Sequence, residues 1–368
     1  MGTKLDASDI HSAIRGRHAL LVIPIALIVA ITVADVLTPG VELGPLLVVA
    51  PAITASFAGP LLTGLMGTLA VTCQFLVPVL QNTPITATLQ AQALGIAVVS
   101  GFLVALRYVR GLQELQLART RSVAVATQEV LMRPLPRRSG PLRISTDYIA
   151  AEEEAQVGGD LYAAVRCDGT TRLVIGDVRG KGLPAIEDTS LLLGAFHGSA
   201  YRNLPLRRMV MHLGHAMHWK WARDTDEDPD GAESFVTALV LDIPDDVGVV
   251  EMISCGHPPP LLLREGKVSP LEARSPGFPL GLIAPSEDQY VVDTFDFGPG
   301  DILLLYTDGV IEARNPEGTF YPLPERVAAW DGNGGPEHLV QYVHKDLLSH
   351  AKGHIGDDAA IIAIERRP

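Results

Sequence analysis

The sequence predicts an α+β protein carried behind a transmembrane region of four helices. Three observations support this. Residues 19–106 contain only two formally charged side chains, Asp35 and Glu42. Beyond Leu142, short apolar or alternating runs succeed one another between Gly, Pro and Asp, the pattern of strands and turns. Longer helix-prone stretches are inserted among those runs instead of alternating with them, which favours α+β over a doubly wound sheet.

The chain has 368 residues, with 29 Lys+Arg against 42 Asp+Glu and a formal net charge of −13. That balance argues against nucleic acid as a partner, because phosphate binding needs a basic face. Only 19% of residues are charged and the mean hydropathy is positive, which suits a chain partly in lipid. Cys73, Cys167 and Cys255 make no CxxC pair. A zinc knuckle and a disulfide scaffold are thereby excluded, and a reducing compartment is expected.

Residues 1–17 read as a cytoplasmic tail and residues 18–108 as four transmembrane helices. A hydrocarbon core of about 30 Å needs roughly 20 apolar residues per helix. The candidates are His18–Leu37, Leu43–Phe57, Leu61–Leu80 and Ala87–Tyr108, the second being short and interrupted by Pro51. The stretch is too long for a signal peptide. Lys4, Arg15 and Arg17 precede the first span, while Arg107, Arg110, Arg119 and Arg121 follow the last. Both flanks therefore read as cytoplasmic and the number of crossings as even. The expected location is the cytoplasmic membrane, multi-pass, in contact with lipid and with the C-terminal domain in the cytoplasm. No Lys, Arg or His falls between Ala19 and Leu106, so a proton relay is not expected there, and the region reads as an anchor or a small sensor.

Residues 109–131 are polar and helix-prone, with Leu112, Leu115 and Leu117 among Gln, Glu and Arg. They read as a juxtamembrane linker helix whose weak heptad offers a surface for a homodimer. Pro134, Pro136 and Gly140 end it. Residues 132–368 then form the soluble domain. Its candidate strands are Arg143–Tyr148, Asp160–Cys167, Arg172–Gly176, Phe235–Asp242, Gly248–Ile253, Pro260–Arg264, Tyr290–Phe297, Asp301–Tyr306 and Ala360–Ile364. Its candidate helices are Pro184–Arg202, Leu206–Arg223 and Pro336–His350. Asp168-Gly169 reads as a plain hairpin turn, and the acidic run Asp224–Asp230 as a solvated loop.

Acidic residues recur where an apolar strand meets a turn. Asp160 follows Val157-Gly158-Gly159 and opens a strand; Asp177 closes Leu173–Gly176; Asp308 closes Ile302–Thr307; and Asp357 and Asp358 open the last apolar run. Carboxylates at the ends of buried strands repel one another, and gathering them is favourable only when cations neutralise them. That is the logic of an oxygen-ligand Mg²⁺ or Mn²⁺ site.

The runs Val157–Asp160, Ile175–Gly182, Ser254–Pro259, Tyr306–Val310 and Gly356–Asp358 resemble, in order, the motifs of the PP2C-type (PPM) serine/threonine phosphatases, in particular the bacterial SpoIIE and RsbU branch. The resemblance extends from about Gln128 to the C-terminus. It implies an α/β/β/α sandwich with two Mn²⁺ or Mg²⁺ ions at one end of the sheets. By the same resemblance, Asp177 bridges both metals beside the Val178 carbonyl, and Asp308 and Asp357 complete the first. Asp160 binds the second directly or through water, and Asp358 is the other member of the acidic pair. The implied reaction is hydrolysis of phosphoserine or phosphothreonine by metal-activated water. The implied partner is a phosphorylated protein, an anti-sigma-factor antagonist of the STAS type in partner-switching regulation. Ala163 and Ala360 depart from the family pattern at positions that are not expected ligands.

Other polar features weigh less. His212, His215 and His218 span nearly two helical turns, which rotates the third away from the first and disfavours a metal face. His257 reads as a structural hydrogen-bonding residue. Lys181 stands near Asp177 and could touch a phosphate or be solvated. A reading of another class is a membrane receptor or scaffold that keeps the fold for partner binding and is weak in catalysis. Retention of the expected carboxylates argues against it.

Overall fold

Strand residues alternate between two environments, and in the C-terminal half of the chain that alternation builds two cores. A computed structural model describes residues 20–38, 42–81, 83–151, 158–227 and 234–367; of residues 117–130, 224–227 and 287 it describes the backbone. The expected tail 1–17, His18, Pro39, Gly40, Asn82, Val157 and Asp228–Asp230 lie outside the described residues. The chain divides into two compact units, Met1–Arg119 and Thr120–Pro368.

The second unit contains two antiparallel sheets. The strands are β1 (Arg138–Ser139), β2 (Leu142–Ile149), β3 (Asp160–Cys167), β4 (Thr170–Val178), β5 (Val236–Pro244), β6 (Val249–Cys255), β7 (Leu261–Arg264), β8 (Lys267–Pro270), β9 (Asp293–Asp296), β10 (Ile302–Tyr306) and β11 (Ala359–Arg366). One sheet runs β1-β2-β11-β10-β7-β8 and the other β3-β4-β5-β6-β9. Leu303 and Leu305 of β10, with Ile362 and Ile364 of β11, face the core shared with Leu161, Leu173 and Leu239 of the other sheet. Their neighbours Leu304, Tyr306, Ile361 and Ala363 face a second core formed with Leu339, Val343 and Leu347 of a helix at Gly335–His350. A fully buried Leu or Ile contributes about 1.5–3 kcal/mol. The strands β10 and β11, apolar on both faces, are therefore the ones that a polar substitution would break first.

The helices in this unit are α5 (Leu183–Tyr201), α6 (Leu206–Glu227), α7 (Asp308–Glu312), α8 (Leu323–Ala328) and α9 (Gly335–His350), after α1–α4 of the first unit. Leu192, Phe196, Met209 and Leu213 bring α5 and α6 onto the five-stranded sheet, while α9 covers the six-stranded one. The layers are thus α/β/β/α, as expected. Asp168 and Gly169 both take positive φ, 45° and 77°, the two-residue hairpin that the sequence suggests between β3 and β4. The acidic run departs from expectation, because α6 continues to Glu227 before the described backbone stops. The short elements β1, β8, α7 and α8 are too brief to show a period in the sequence.

In the first unit, α1 (Val22–Leu37) is followed by a 3₁₀ turn at Gly44–Val48 that runs into α2 (Val49–Phe57), then α3 (Pro60–Gln81) and α4 (Ala87–Leu131). Two helices, α3 and the Ala87–Gln116 part of α4, are long and apolar enough to cross a membrane; α1 and Gly44–Phe57 are apolar but shorter. Ile28, Leu47, Ala50, Met66, Ala70 and Ile96 form an inner core. The outer surface is also apolar, with Val22, Leu61, Val79, Leu94, Val98 and Phe102 all exposed. A helix group apolar both inside and out suits lipid better than water. The expected fourth span and linker helix are one continuous helix of 45 residues.

Candidate active site

Strand register brings the acids flagged in the sequence to one end of the sandwich. Asp160, the first residue of β3, is the cross-strand partner of Asp177 near the end of β4, and Asp177 is paired with Thr237 of β5 on its other side. Directly opposed antiparallel residues project to the same face, so the register alone sets the two carboxylates side by side. In the other sheet, β10 ends just before Thr307-Asp308, and neighbouring β11 begins just after Asp357-Asp358. Thr307 stitches these ends together. Its N–H donates to the Ala360 carbonyl at 3.1 Å, and its Oγ1 accepts from Ala360 N at 2.8 Å. The same hydroxyl donates to Asp160 Oδ2 at 2.8 Å, which ties the two sheets to each other.

Close approach explains two of the motif glycines. A Cβ at Gly159 would overlap the Val178 carbonyl oxygen and lie 2.7 Å from Asp177 Oδ1. A Cβ at Gly309 would overlap the carbonyl oxygen of Asp358. The space over Gly159 is thus a cradle toward which a carbonyl and a carboxylate already point.

The acids differ sharply in what they touch. Asp358 is buried and accepts from Ala151 N at 2.7 Å, from Gly158 N at 2.9 Å and from the Tyr148 hydroxyl. Asp357, with a half-exposed side chain, forms an ion pair with Lys181 Nζ at 2.7 Å and accepts from Asp358 N at 3.0 Å. Burial, and then repulsion by Asp177, raises the pKa of Asp160 well above the usual carboxylate range. Burial followed by repulsion from Asp308, Asp357 and Asp358 pushes Asp177 up to about 7, against the pull of Lys181. Burial, Glu312 and Asp357 raise Asp308. In each case burial comes first and repulsion by other acids after it, and both disfavour negative charge that no cation offsets.

Hard oxygen donors around a deficit of positive charge suit Mg²⁺ or Mn²⁺. The residues that fit are Asp177, the Val178 carbonyl, Asp308 and Asp357, with Asp160 behind them. Among the described residues no three His, Cys, Asp or Glu side chains already form a group ready to hold an ion. Register gathers the acids, but Asp160 and Asp358 are turned to internal donors and Asp357 to Lys181. Of the residues considered in the sequence, His257 is buried, its pKa pushed down to about 3 by burial, and Thr237 Oγ1 lies 3.5 Å from its Nδ1. A neutral, enclosed imidazole suits a structural role. His212, His215 and His218 form no metal group. Sequence reading missed the roles of Thr307 and Tyr148; Thr307 directly precedes Asp308, whereas Tyr148 is far in sequence from the acid it meets.

The sequence profile described as Stage II sporulation protein E (SpoIIE) matches residues 167–367, more than half of the chain. The chain belongs to the SpoIIE family. Its C-terminal unit is accordingly a PP2C-type protein serine/threonine phosphatase domain. This SpoIIE-family chain is 28% identical over 240 residues to Protein IcfG of Synechocystis, covering 58% of this chain and 37% of that protein. It is 23% identical over 263 residues to the phosphoserine phosphatase RsbU of Bacillus subtilis, covering 70% of this chain and 73% of RsbU. The chain thus spans well under two thirds of the Synechocystis protein. The crystal structure of the RsbU and RsbW domains of Rv1364c from Mycobacterium tuberculosis shares the fold. Its TM-score is 0.51 at 24% identity, over 64% of this chain and 62% of that one.

Proposed function

We propose that this SpoIIE-family chain is a membrane-anchored, metal-dependent phosphatase that hydrolyses phosphoserine or phosphothreonine in a protein. The observation that carries the reading is the gathering of Asp160, Asp177, Asp308 and Asp357 at one end of the sheets, where burial and then the acidic neighbours raise Asp177 to about 7, and where the Val178 carbonyl and the Asp177 carboxylate crowd the face of Gly159. Two Mn²⁺ or Mg²⁺ ions, when bound, supply the missing positive charge, a clamp on the phosphoryl oxygens and an activated water. The chain's own residues hold that chemistry in place. Asp177 would serve both ions with the Val178 carbonyl beside it, Asp308 and Asp357 would complete one of them, and Asp160 would bind the other directly or through water. Thr307 fixes the orientation of Asp160 through its hydroxyl. Asp358, saturated by three donors, holds the loop ends at Ala151 and Gly158 and leaves the adjacent Asp357 at the solvent edge.

The proposed substrate is a phosphorylated anti-sigma-factor antagonist of the STAS type. The likeness to RsbU and to a protein that combines RsbU and RsbW domains supports a place in partner switching. Four apolar helices, two of them long enough to cross a bilayer, support residence in the cytoplasmic membrane. The linker part of α4, which runs from Ala87 to Leu131, is the proposed surface for a homodimer.

The decisive experiment assays the full chain in detergent on a phosphoserine peptide. Activity should appear with Mn²⁺, vanish in EDTA and return when Mn²⁺ is restored; activity that persists in EDTA overturns the metal assignment. Reporter fusions after Gln81 should read as exported and fusions after Arg110 as cytoplasmic. An exported Arg110 fusion would remove the domain from its proposed substrate.

A further inference from the structure

The loop that leaves the candidate site from β4 carries two cations, and the fold uses them differently. Lys181 forms the ion pair with Asp357. Arg179 is exposed, and among the described residues no acid pairs with it. Its guanidinium lies instead over the ring of Phe235, 5.2 Å from the centroid.

Register places this cation on the catalytic face. Asp177 pairs with Thr237 and Val178 with Val236, and the ladder continues one residue further, the Arg179 N–H donating to the Phe235 carbonyl at 2.9 Å. Side chains two apart on a strand point the same way, so Asp177 and Arg179 share one face, with Thr237 and Phe235 opposite them. It is the face on which Asp160, the cross-strand partner of Asp177, meets Thr307 of the other sheet. Asp177 and Arg179 stand about 7 Å apart along the strand.

The side toward which Arg179 leans decides what it can meet. β4 lies between β3 and β5. Gly159, the Val178 carbonyl and the Asp177 carboxylate crowd together on the β3 side, where the Val178 N–H donates to the Gly159 carbonyl at 3.1 Å. Phe235 stands on the β5 side. Neighbouring strands are about 4.8 Å apart, so Gly159 and Phe235 are separated by about 10 Å across the sheet. A guanidinium resting on Phe235 is beyond hydrogen-bonding reach of a phosphoryl group seated beside Gly159. An extended peptide advances about 3.3 Å per residue and brings another of its side chains there, two or three residues from the phosphorylated one.

We propose that Arg179 is a specificity-determining residue, which pairs with a Glu or Asp side chain of the substrate two or three residues from the phosphoserine. The inference rests on the proposed phosphatase function and goes beyond it in naming a feature of the substrate. A guanidinium held over an aromatic ring keeps its in-plane N–H donors free, and their fork matches a carboxylate. A basic flank would meet like charge here, and a neutral flank leaves the cation without a counter-charge.

The test is fluorescence anisotropy of the full chain in detergent, with Mn²⁺, against labelled peptides carrying the non-hydrolysable difluoromethylene phosphonate of phosphoserine. Each peptide has a single Glu, Gln or Lys two or three residues before or after the phosphonate. At one of these positions the Glu peptide should bind about three- to fivefold more tightly than its Gln counterpart, the range that an ion pair open to water permits. The advantage should fade as salt is added. Arg179→Gln should erase the difference, and Arg179→Glu should turn the preference toward the Lys peptide. Equal binding of Glu and Gln peptides by the unaltered chain, binding of no peptide, or a preference that survives in Arg179→Gln overturns the proposal. So does equal weakening of every peptide by Arg179→Gln, which would put the arginine on the phosphoryl group. Mn²⁺-dependent hydrolysis of a phosphoserine peptide is measured apart from this binding, so the proposed function can stand where the proposal falls.

Discussion

The acidic end of the sandwich consists of two regions that differ in how their carboxylates are satisfied. The inner region, Asp160 with Thr307 and Asp358 with Tyr148, Ala151 and Gly158, is buried and hydrogen-bonded to the chain itself. At the outer edge, Asp177 and Asp308 are raised by burial and by their acidic neighbours, and Asp357 leans on one partly exposed lysine. Of five acids in one motif set, Asp358 has three donors from the chain and Asp160 one, the Thr307 hydroxyl that ties the two sheets. Asp177, Asp308 and Asp357, with Asp160 behind them, are the ones a cation would satisfy. Substitutions should therefore separate the regions, with activity lost at the edge and stability lost at the frame.

The largest effect is expected at the edge. Asp177→Asn and Asp308→Asn should each lower kcat by several orders of magnitude, since each removes charge from the proposed metal cluster. Neither should lower the Tm of chelator-treated protein, because the charge removed is one that its neighbours repel. The pH dependence follows with a definite sign. Asp177 has a folded pKa of about 7 against an unfolded value of about 3.9. Between these values the unfolded chain has lost a proton that the folded chain retains. The chelated protein should therefore lose stability as pH rises from about 4 to about 7, and Asp177→Asn should flatten that slope. Denaturant melts across this range, in EDTA, provide the check; a slope unchanged in the variant would remove Asp177 from the cluster.

Next in size is the frame. Asp358→Ala leaves the Tyr148 hydroxyl and the Ala151 and Gly158 N–H groups without their acceptor, and Thr307→Val strips Asp160 and Ala360 of a shared hydroxyl. Each unpaired buried group costs about 1–3 kcal/mol, so the Tm should fall by several degrees in either variant. Activity per folded molecule should suffer far less than at Asp177. A Thr307→Val protein with unchanged Tm would show that the tie between the sheets carries no weight.

Much of this division was hidden in the sequence for a physical reason. Alternation and turn chemistry reveal strands, so Asp160–Cys167 and the apolar runs ending at Tyr306 and beginning at Ala359 were legible, and with them the placing of every flagged acid at a strand end. Which acids meet depends on register across sequence separations such as that of Asp160 and Thr307, and a local pattern carries no such information. The two residues of Asp357-Asp358 look alike in sequence. One is exposed and paired with Lys181, and the other is enclosed by three donors, a contrast set by loops that pack from elsewhere in the chain. In the first unit, hydropathy placed four apolar helices, but not the 3₁₀ turn at Gly44–Val48 that shortens α2, which composition does not mark.

The smallest effect decides what Lys181 does. Its Nζ lies 2.7 Å from Asp357 Oδ1, with side-chain exposures of 38% and 52%. An ion pair so open to water is worth less than about 1 kcal/mol, so removing it should leave the Tm unchanged. Its position still matters. A cation seated on a proposed metal ligand competes with the metal, both for the carboxylate oxygen and through repulsion. Lys181→Met should therefore lower the Mn²⁺ concentration needed for half activity by about two- to fivefold, the ratio that fraction of a kcal/mol permits. If Lys181 instead grips the phosphoryl group, KM for the phosphopeptide should rise while the Mn²⁺ requirement stays put. Measuring both titrations on one preparation separates the two roles, and a variant unchanged in both would make Lys181 a solvated side chain and leave Asp357 as open as Asp177.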